Sequence, residues 1–215
     1  MDYRQIEQYS QEYWDLKAGK ISGTRFSEVL SGRDNMIVAK LIDERLNGII
    51  TPDDYVSDDM QFGIDNESIA LDEYELMSGI KFDRGGVIIS RKSAIHMSSP
   101  DGISECRKKI GEVKCTKNGA LHIHRFLNGI ESSKRPQIVN YFACDDEVEE
   151  VHLILHCPFR PERRTFPIIY TRDTLIKIGT KEAPIEYFVD IGNNRISEIE
   201  SEIEKGIKRF THFEF

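Results

Sequence analysis

The chain has no apolar run approaching the roughly 18–20 residues a membrane helix needs. Its first residues, MDYRQIEQYS, lack the basic-then-apolar layout of a secretory signal, so the expectation is a cytoplasmic protein with no membrane partner. Cys106, Cys115, Cys144 and Cys157 form no CxxC pair. That gives no support to a zinc ribbon or an iron–sulfur cluster and favours reduced thiols. There is no internal repeat and no low-complexity tract. Positive charge is in deficit: 29 Lys and Arg stand against 37 Asp and Glu, a net charge of −8. This argues against a protein coated in positive potential for non-specific nucleic-acid binding, but a local basic groove remains compatible with it.

What is present is an ordinary globular composition, 31% charged and 39% hydrophobic over 215 residues, a length suited to one domain with its own core. Two stretches look like connectors, the acidic Gly48–Gln61 and the basic Cys157–Thr165. Apolar spacing predicts helices over Asn35–Leu46, Asn66–Ser78, Glu131–Ala143 (its regular part from Pro136) and Asn194–Phe210. The last shows one stripe, Ile196, Ile199, Ile203, Ile207 and Phe210. Short β-type runs fall at Val87–Ser90, Ala94–Met97, Ile110–Cys115, Val151–His156 and Phe166–Thr171. From Asn66 to His156 the order is helix, three strands, helix, strand, which implies an α/β domain with a mixed central sheet flanked by helices.

The chemistry-bearing segment is Ser99-Pro100-Asp101-Gly102 followed by Gly111-Glu112-Val113-Lys114-Cys115. On a strand Glu112 and Lys114 share one face and Val113 takes the other. An acid and a lysine on an otherwise buried strand are costly to desolvate without a partner or a role. With Asp101 and the Val113 carbonyl, Glu112 offers hard oxygen ligands suited to Mg²⁺, with Mn²⁺ as a substitute. Such a metal activates water and neutralises charge on a phosphate, and Lys114 can orient the water and stabilise the anionic transition state. Taken alone, Glu-x-Lys is far more often the mark of an ordinary surface pair beside a hairpin turn.

The pattern resembles the PD-(D/E)xK nuclease superfamily, and more closely the lambda exonuclease-like, YqaJ-type viral recombinase family, whose members carry an SPDG turn and an E-[VL]-K-C strand. The likeness implies a restriction-endonuclease-like core in α-β-β-β-α-β order. The segment FGIDNESIALDEYELMSG is similar to the family's helix bearing a glutamate near the metal, which maps that role onto Glu67. Phe126–Glu131 resembles F-x-L-G-G-F-E, with Leu127 displaced by one. Gln137 and Tyr141 fit a QxxxY pattern whose glutamine helps hold the active-site lysine or the DNA backbone; an alternative alignment puts Asn140 there. The stretch Trp14–Thr24 resembles the DNA-end-binding pattern W-x-x-x-R-x-G-x-[IL]-[ST]-[AG]-[ST], which implies phosphate contacts by Lys17, Ser22 and Thr24. Here lysine replaces arginine, losing the bidentate fork, and its spacing from Trp14 is one shorter. An N-cap at Ser22 or Thr24 accounts for the hydroxyls equally well.

The resemblance therefore implies a metal-dependent exonuclease on double-stranded DNA ends, resecting 5′ to 3′ in phage-type recombination within a host cytoplasm. It also implies a single-strand annealing partner and possible assembly as a homotrimer. The alternatives are a structure-selective or restriction-type endonuclease and a DNA-binding homologue without catalysis. Residues 1–61 would form a helical DNA-end-binding part, 62–157 the core, and 158–215 an extension with a strand and an amphipathic helix, all within one nuclease domain. Lys134, Arg135, Tyr141 and the run Arg160, Arg163, Arg164 are candidates for DNA-backbone contacts, as are Arg107, Lys108 and Lys109 close to the motif in sequence. His122-x-His124, with His152 and His156, would begin a transition-metal site on a strand, but no third ligand follows at a recognisable spacing. The acidic clusters Asp53–Asp59 and Asp145–Glu150 are expected to lie away from DNA.

Overall fold

A computed structural model describes residues 1–32, 35–48, 50 and 57–212. The described chain begins with β1 (Asp2–Arg4), α1 (Gln11–Lys17), α2 (Gly23–Ser31), α3 (Asn35–Asn47) and α4 (Asp58–Ser78). Then come β2 (Phe82–Arg84), β3 (Val87–Ile89), β4 (Met97–Ser98), β5 (Gly102–Ser104) and β6 (Lys109–Cys115). α5 (Gly119–Asn128), a 3₁₀ turn (Ser132–Lys134) and α6 (Arg135–Cys144) lead to β7 (Glu150–His156) and β8 (Thr165–Tyr170). β9 (Leu175–Ile178), β10 (Lys181–Pro184) and α7 (Ile185–Thr211) follow.

β6 and β7 are buried almost end to end, as strands covered on both faces must be. They pair in parallel at the centre of a five-stranded sheet ordered β2-β5-β6-β7-β8, whose other pairs are antiparallel. A parallel pair requires a crossover, and α5 and α6 supply it. Side chains alternate across β7. Leu153 and Leu155 enter the larger core with Ile138, Phe142 and Ile199, while Ile154 joins Val113, Leu71, Tyr74 and Phe82 beneath α4. Gly102 and Gly111 are paired across β5 and β6, and a Cβ at Gly102 would lie 2.9 Å from Phe82 Cβ, so glycine admits the Phe82 side chain onto the sheet. The sheet thus lies between α4 and the helices of the larger core, a mixed α/β architecture.

The structure corrects several expectations. The first two strands of the core order are β2 and β5, not Val87–Ser90 and Ala94–Met97, which contribute β3 and β4 to a separate sheet ordered β1-β3-β4. Strands of three residues show too little alternation to be read from sequence. α4 begins at Asp58 rather than Asn66, because Ser57 caps it by accepting the Met60 N–H and two aspartates follow in the first turn. That helix takes over the end of the Gly48–Gln61 connector, of which Ile49 and residues 51–56 lie outside the described residues. α7 begins nine residues before Asn194; Ile185, Phe188 and Val189 extend its buried stripe, and Gly192 sits where any Cβ would collide with Phe26. Phe210 is exposed. His122 and His124 lie on α5, a helix rather than a strand.

His96 is buried against Phe26, ring centroids 5.7 Å apart, with Nε2 2.9 Å from Asn140 Oδ1. Burial pushes its pKa down to about 4, against the opposing effect of the Asn140 bond. The unfolded chain then takes up a proton below about pH 6.5 that the folded one refuses, so this contribution is complete above 6.5 and is lost as pH falls toward 4, by ~1.4 kcal/mol per pH unit. NMR titration is expected to show the His96 ring proton unshifted from pH 8 to 5; a midpoint above 6 would contradict this.

Candidate active site

The alternation of β6 places Val113 in the apolar cluster under α4 and turns Glu112 and Lys114 to the opposite face. Glu112 is 1% exposed. Its Oε1 accepts from Lys114 Nζ and from Gln137 Nε2 at 2.7 Å, and its Oε2 accepts from the Tyr141 hydroxyl. Gln137 and Tyr141 lie one turn apart on α6, so one helix face delivers both donors. Asn140 instead bonds His96 and reaches the Met97 carbonyl at 3.4 Å. Asp101 sits between β4 and β5, and its Oδ2 accepts the Val113 N–H at 2.6 Å, which ties the turn to the strand.

These groups open on a cleft of about 440 Å³. Glu67, Asp101, Glu112, Val113 and Lys114 line it, together with Gln137, Asn140, Tyr141 and Lys134. Lys17, Ser22 and Thr24 come from the amino-terminal segment. Burial and then the Glu112 charge push the Glu67 pKa up to about 7, against the opposing pull of Lys114 and Arg84. Burial, Glu112 and Glu67 raise Asp101. Burial alone would lower Lys114, but Glu112 and Asp101 outweigh it and hold the ammonium above its ordinary range. Burial and Glu112 likewise keep the Tyr141 phenol protonated.

The amino-terminal segment is fixed by backbone contacts. Gly19, at φ +68°, donates its N–H to Glu44 Oε2 at 2.9 Å, and Arg25 pairs with the same carboxylate. Ile21 bridges to the edge of the small sheet: its N–H reaches the Ile95 carbonyl at 2.6 Å, and its carbonyl accepts from Met97 at 2.9 Å. Ser22 then stands at the N-cap position of α2 without a side-chain capping bond, its hydroxyl left on the cleft wall. A Cβ at Gly23 would lie 3.1 Å from Gln137 Cγ, so glycine lets α2 approach α6. The Lys17 ammonium lies 5.3 and 5.0 Å from the ring centres of Tyr13 and Trp14.

Other basic candidates lie elsewhere. Arg135 donates to the Ile130 and Lys177 carbonyls. Arg107, Lys108 and Lys109 sit at the far end of the β5–β6 hairpin, paired with Asp83, Glu149 and Glu150. Arg164 pairs with Glu73, Arg163 lies over the Phe126 ring, and Arg160 packs against Gly119; none of the three lines the cleft. His122 is bonded to the Arg163 carbonyl at 2.8 Å, and His152 and His156 to Glu150 and Thr165. Asp59, expected away from the site, lines it, and Asp145 is held by the amino terminus. Sequence reading missed Tyr9, Tyr13 and Arg125 on the cleft. Their only sequence signal was proximity to Trp14–Thr24 or to Phe126–Glu131.

Among the described residues, no three His, Cys, Asp or Glu side chains are gathered into a formed metal cluster, and both Glu112 oxygens are engaged by donors. The donor set nevertheless suits a hard divalent cation. Glu67, Asp101 and Glu112 share one cleft, and the Glu112 charge raises the proton affinity of both Glu67 and Asp101.

Residues 12–146 match the family described as the YqaJ-like viral recombinase domain. No curated protein matches the chain. Among solved structures, it is similar to an alkaline exonuclease from Laribacter hongkongensis, with TM-score 0.74, 22% identity, and coverage of 94% of this chain and 96% of that one. The same exonuclease in complex with dAMP aligns with TM-score 0.71 and 23% identity, covering 94% of this chain and 98% of that one. A phage-related exonuclease from Haemophilus somnus 129PT gives TM-score 0.61 and 14% identity, covering 89% and 96%.

Replacing Tyr141 by Phe deletes one of the donors on a buried carboxylate, an unmet group that costs about 1–3 kcal/mol. Chemical denaturation of Tyr141→Phe is expected to show that loss with the cooperative transition retained; an unfolding free energy equal to wild type would mean that Glu112 does not depend on the hydroxyl.

Proposed function

The chain belongs to the YqaJ-like viral recombinase family, and from that premise we propose that it is a divalent-metal-dependent exonuclease that hydrolyses phosphodiesters at double-stranded DNA ends. The observation that carries the reading is the buried Glu112, fixed between Lys114, Gln137 and Tyr141 and beside an Asp101 bonded to the same strand. Asp101, Glu112 and the Val113 carbonyl would hold Mg²⁺ or Mn²⁺, with Glu67 in support. When bound, the metal supplies Lewis acidity and a more acidic water.

The chain's own residues do the rest. Lys114, kept charged by its acidic neighbours, orients the attacking water and stabilises the anionic phosphorane-like transition state. Gln137 and Tyr141 keep Glu112 from rotating away. Lys17, Ser22, Thr24 and Lys134 take phosphates along the cleft wall. Lys17 acts as a point charge rather than a fork, which gives a looser grip on a terminal 5′-phosphate than arginine would. The Laribacter exonuclease, similar in fold, has been solved in complex with dAMP, which accords with a nucleotide substrate. Resection from 5′ to 3′, action in phage-type recombination, an annealing partner and a homotrimeric ring belong to the same proposal and rest on the family alone.

Digestion of linear duplexes with and without a 5′-phosphate, beside a covalently closed circle, in Mg²⁺ and in EDTA, tests it. The linear forms should be degraded only in Mg²⁺ and the circle left intact, with Asp101→Ala and Lys114→Ala slowed by at least about 10²-fold while still binding DNA. Cutting of the circle at the linear rate would favour an endonuclease, and undiminished cutting by both variants would refute the site.

A further inference from the structure

Tyr9 lies in a turn closed by the Ser10 N–H on the Glu7 carbonyl at 3.2 Å. It occupies the third position of that turn at φ 67°. This left-handed geometry suits glycine or asparagine, and a bulky residue there is a genuine outlier that costs stability. Strain of this kind is ordinarily offset by burial or a side-chain bond. Tyr9 has neither: it is 61% exposed, and no hydrogen bond holds its hydroxyl among the described residues. Of the three non-glycine residues at positive φ among the described residues, Tyr9 is the one that lines the cleft.

The ring sits beside two others. The ring centre lies 6.1 Å from those of both Tyr13 and Trp14, tilted by 52° and 57°. Tyr13 and Trp14 are the rings that flank the Lys17 ammonium. Tyr9 lines the same cleft as Glu67, Asp101 and Lys114, and their charges act on its phenol. An exposed aromatic face beside Lys17 and the carboxylates has the makings of a nucleobase platform, because every base presents a π-face.

We propose that Tyr9 stacks on the nucleobase adjoining the scissile phosphate, with Lys17 on the phosphate next to it, so that the exposed ring presents a base-stacking face at the cleft. This rests on the nuclease reading and deepens it by naming what the cleft's outer wall recognises. Stacking tolerates any sequence, so the platform fixes the distance between base and carboxylates rather than the identity of the base. An end-directed nuclease needs that distance at every step along a strand of arbitrary sequence.

The test uses a linear duplex carrying 2-aminopurine at the 5′-terminal nucleotide, with Ca²⁺ in place of Mg²⁺ to slow turnover. The variants are Tyr9→Gly, which the backbone geometry favours, and Tyr9→Phe, which keeps the ring. Wild type and Tyr9→Phe should quench the fluorophore on binding. Tyr9→Gly should lose most of the quench, and its Kd for the end should rise about tenfold. A Tyr9→Gly protein that quenches as wild type does, with equal Kd, overturns the stacking role while leaving the nuclease reading intact. Failure of the wild-type protein to bind the duplex overturns both.

Discussion

The Glu112 carboxylate is taken out of water at the centre of a sheet, and a buried carboxylate must be met by donors or it costs several kcal/mol. Its donors come from two directions, Lys114 from its own strand and Gln137 and Tyr141 from α6. α6 can present both only if it lies across β6, and the parallel pairing of β6 with β7 forces the intervening chain over that face. The same helix anchors Asn140 on His96 and receives α2 at Gly23, which brings the Lys17–Thr24 segment to the cleft. On the other face Val113 is fixed beneath α4, the helix that carries Glu67. One desolvated acid thus sets the positions of the elements that bear the rest of the site.

A net charge of −8 argues, taken as a total, against a nucleic-acid partner. The distribution changes its meaning. Glu67, Asp101, Glu112 and Asp59 gather on one cleft, where a divalent cation would offset part of their charge, with Lys17, Lys114 and Lys134 on the same walls. Much of the remaining acidity is consumed locally. Glu149 and Glu150 pair with the hairpin lysines, Asp145 and Glu147 with the amino terminus and Arg91. Arg107, Lys108 and Lys109, which appear in sequence as free charge next to the motif, are spent in the same way. Partners respond to the local field that remains.

What was legible in the sequence were features with a period or a fixed short spacing. Glu112-x-Lys114 on a buried strand, Gln137 and Tyr141 one turn apart, and the stripe Ile196, Ile199, Ile203 each carry their geometry in their spacing. β2 and β5 carry none: three residues each, defined by pairing with distant segments, they displaced the expected strands from the core sheet. Ser57 as a cap was readable, but the acidic stretch around it looked like a linker. Tyr9, Tyr13 and Arg125 share no motif, because only tertiary packing brings them to the cleft. The fate of the arginine and lysine runs was equally hidden, since the acids that pair with them lie far away in sequence.

The most direct test is thermal unfolding in EDTA and in Mg²⁺ or Mn²⁺, comparing wild type with Asp101→Asn. Removing the Asp101 carboxylate, whose charged form burial, Glu112 and Glu67 all disfavour, should raise the melting temperature in EDTA. A cation that binds only the folded cleft should stabilise wild type as RT ln(1 + [M]/Kd), and the variant far less. An Asp101→Asn protein no more stable in EDTA, and stabilised by the metal as much as wild type, would contradict the account.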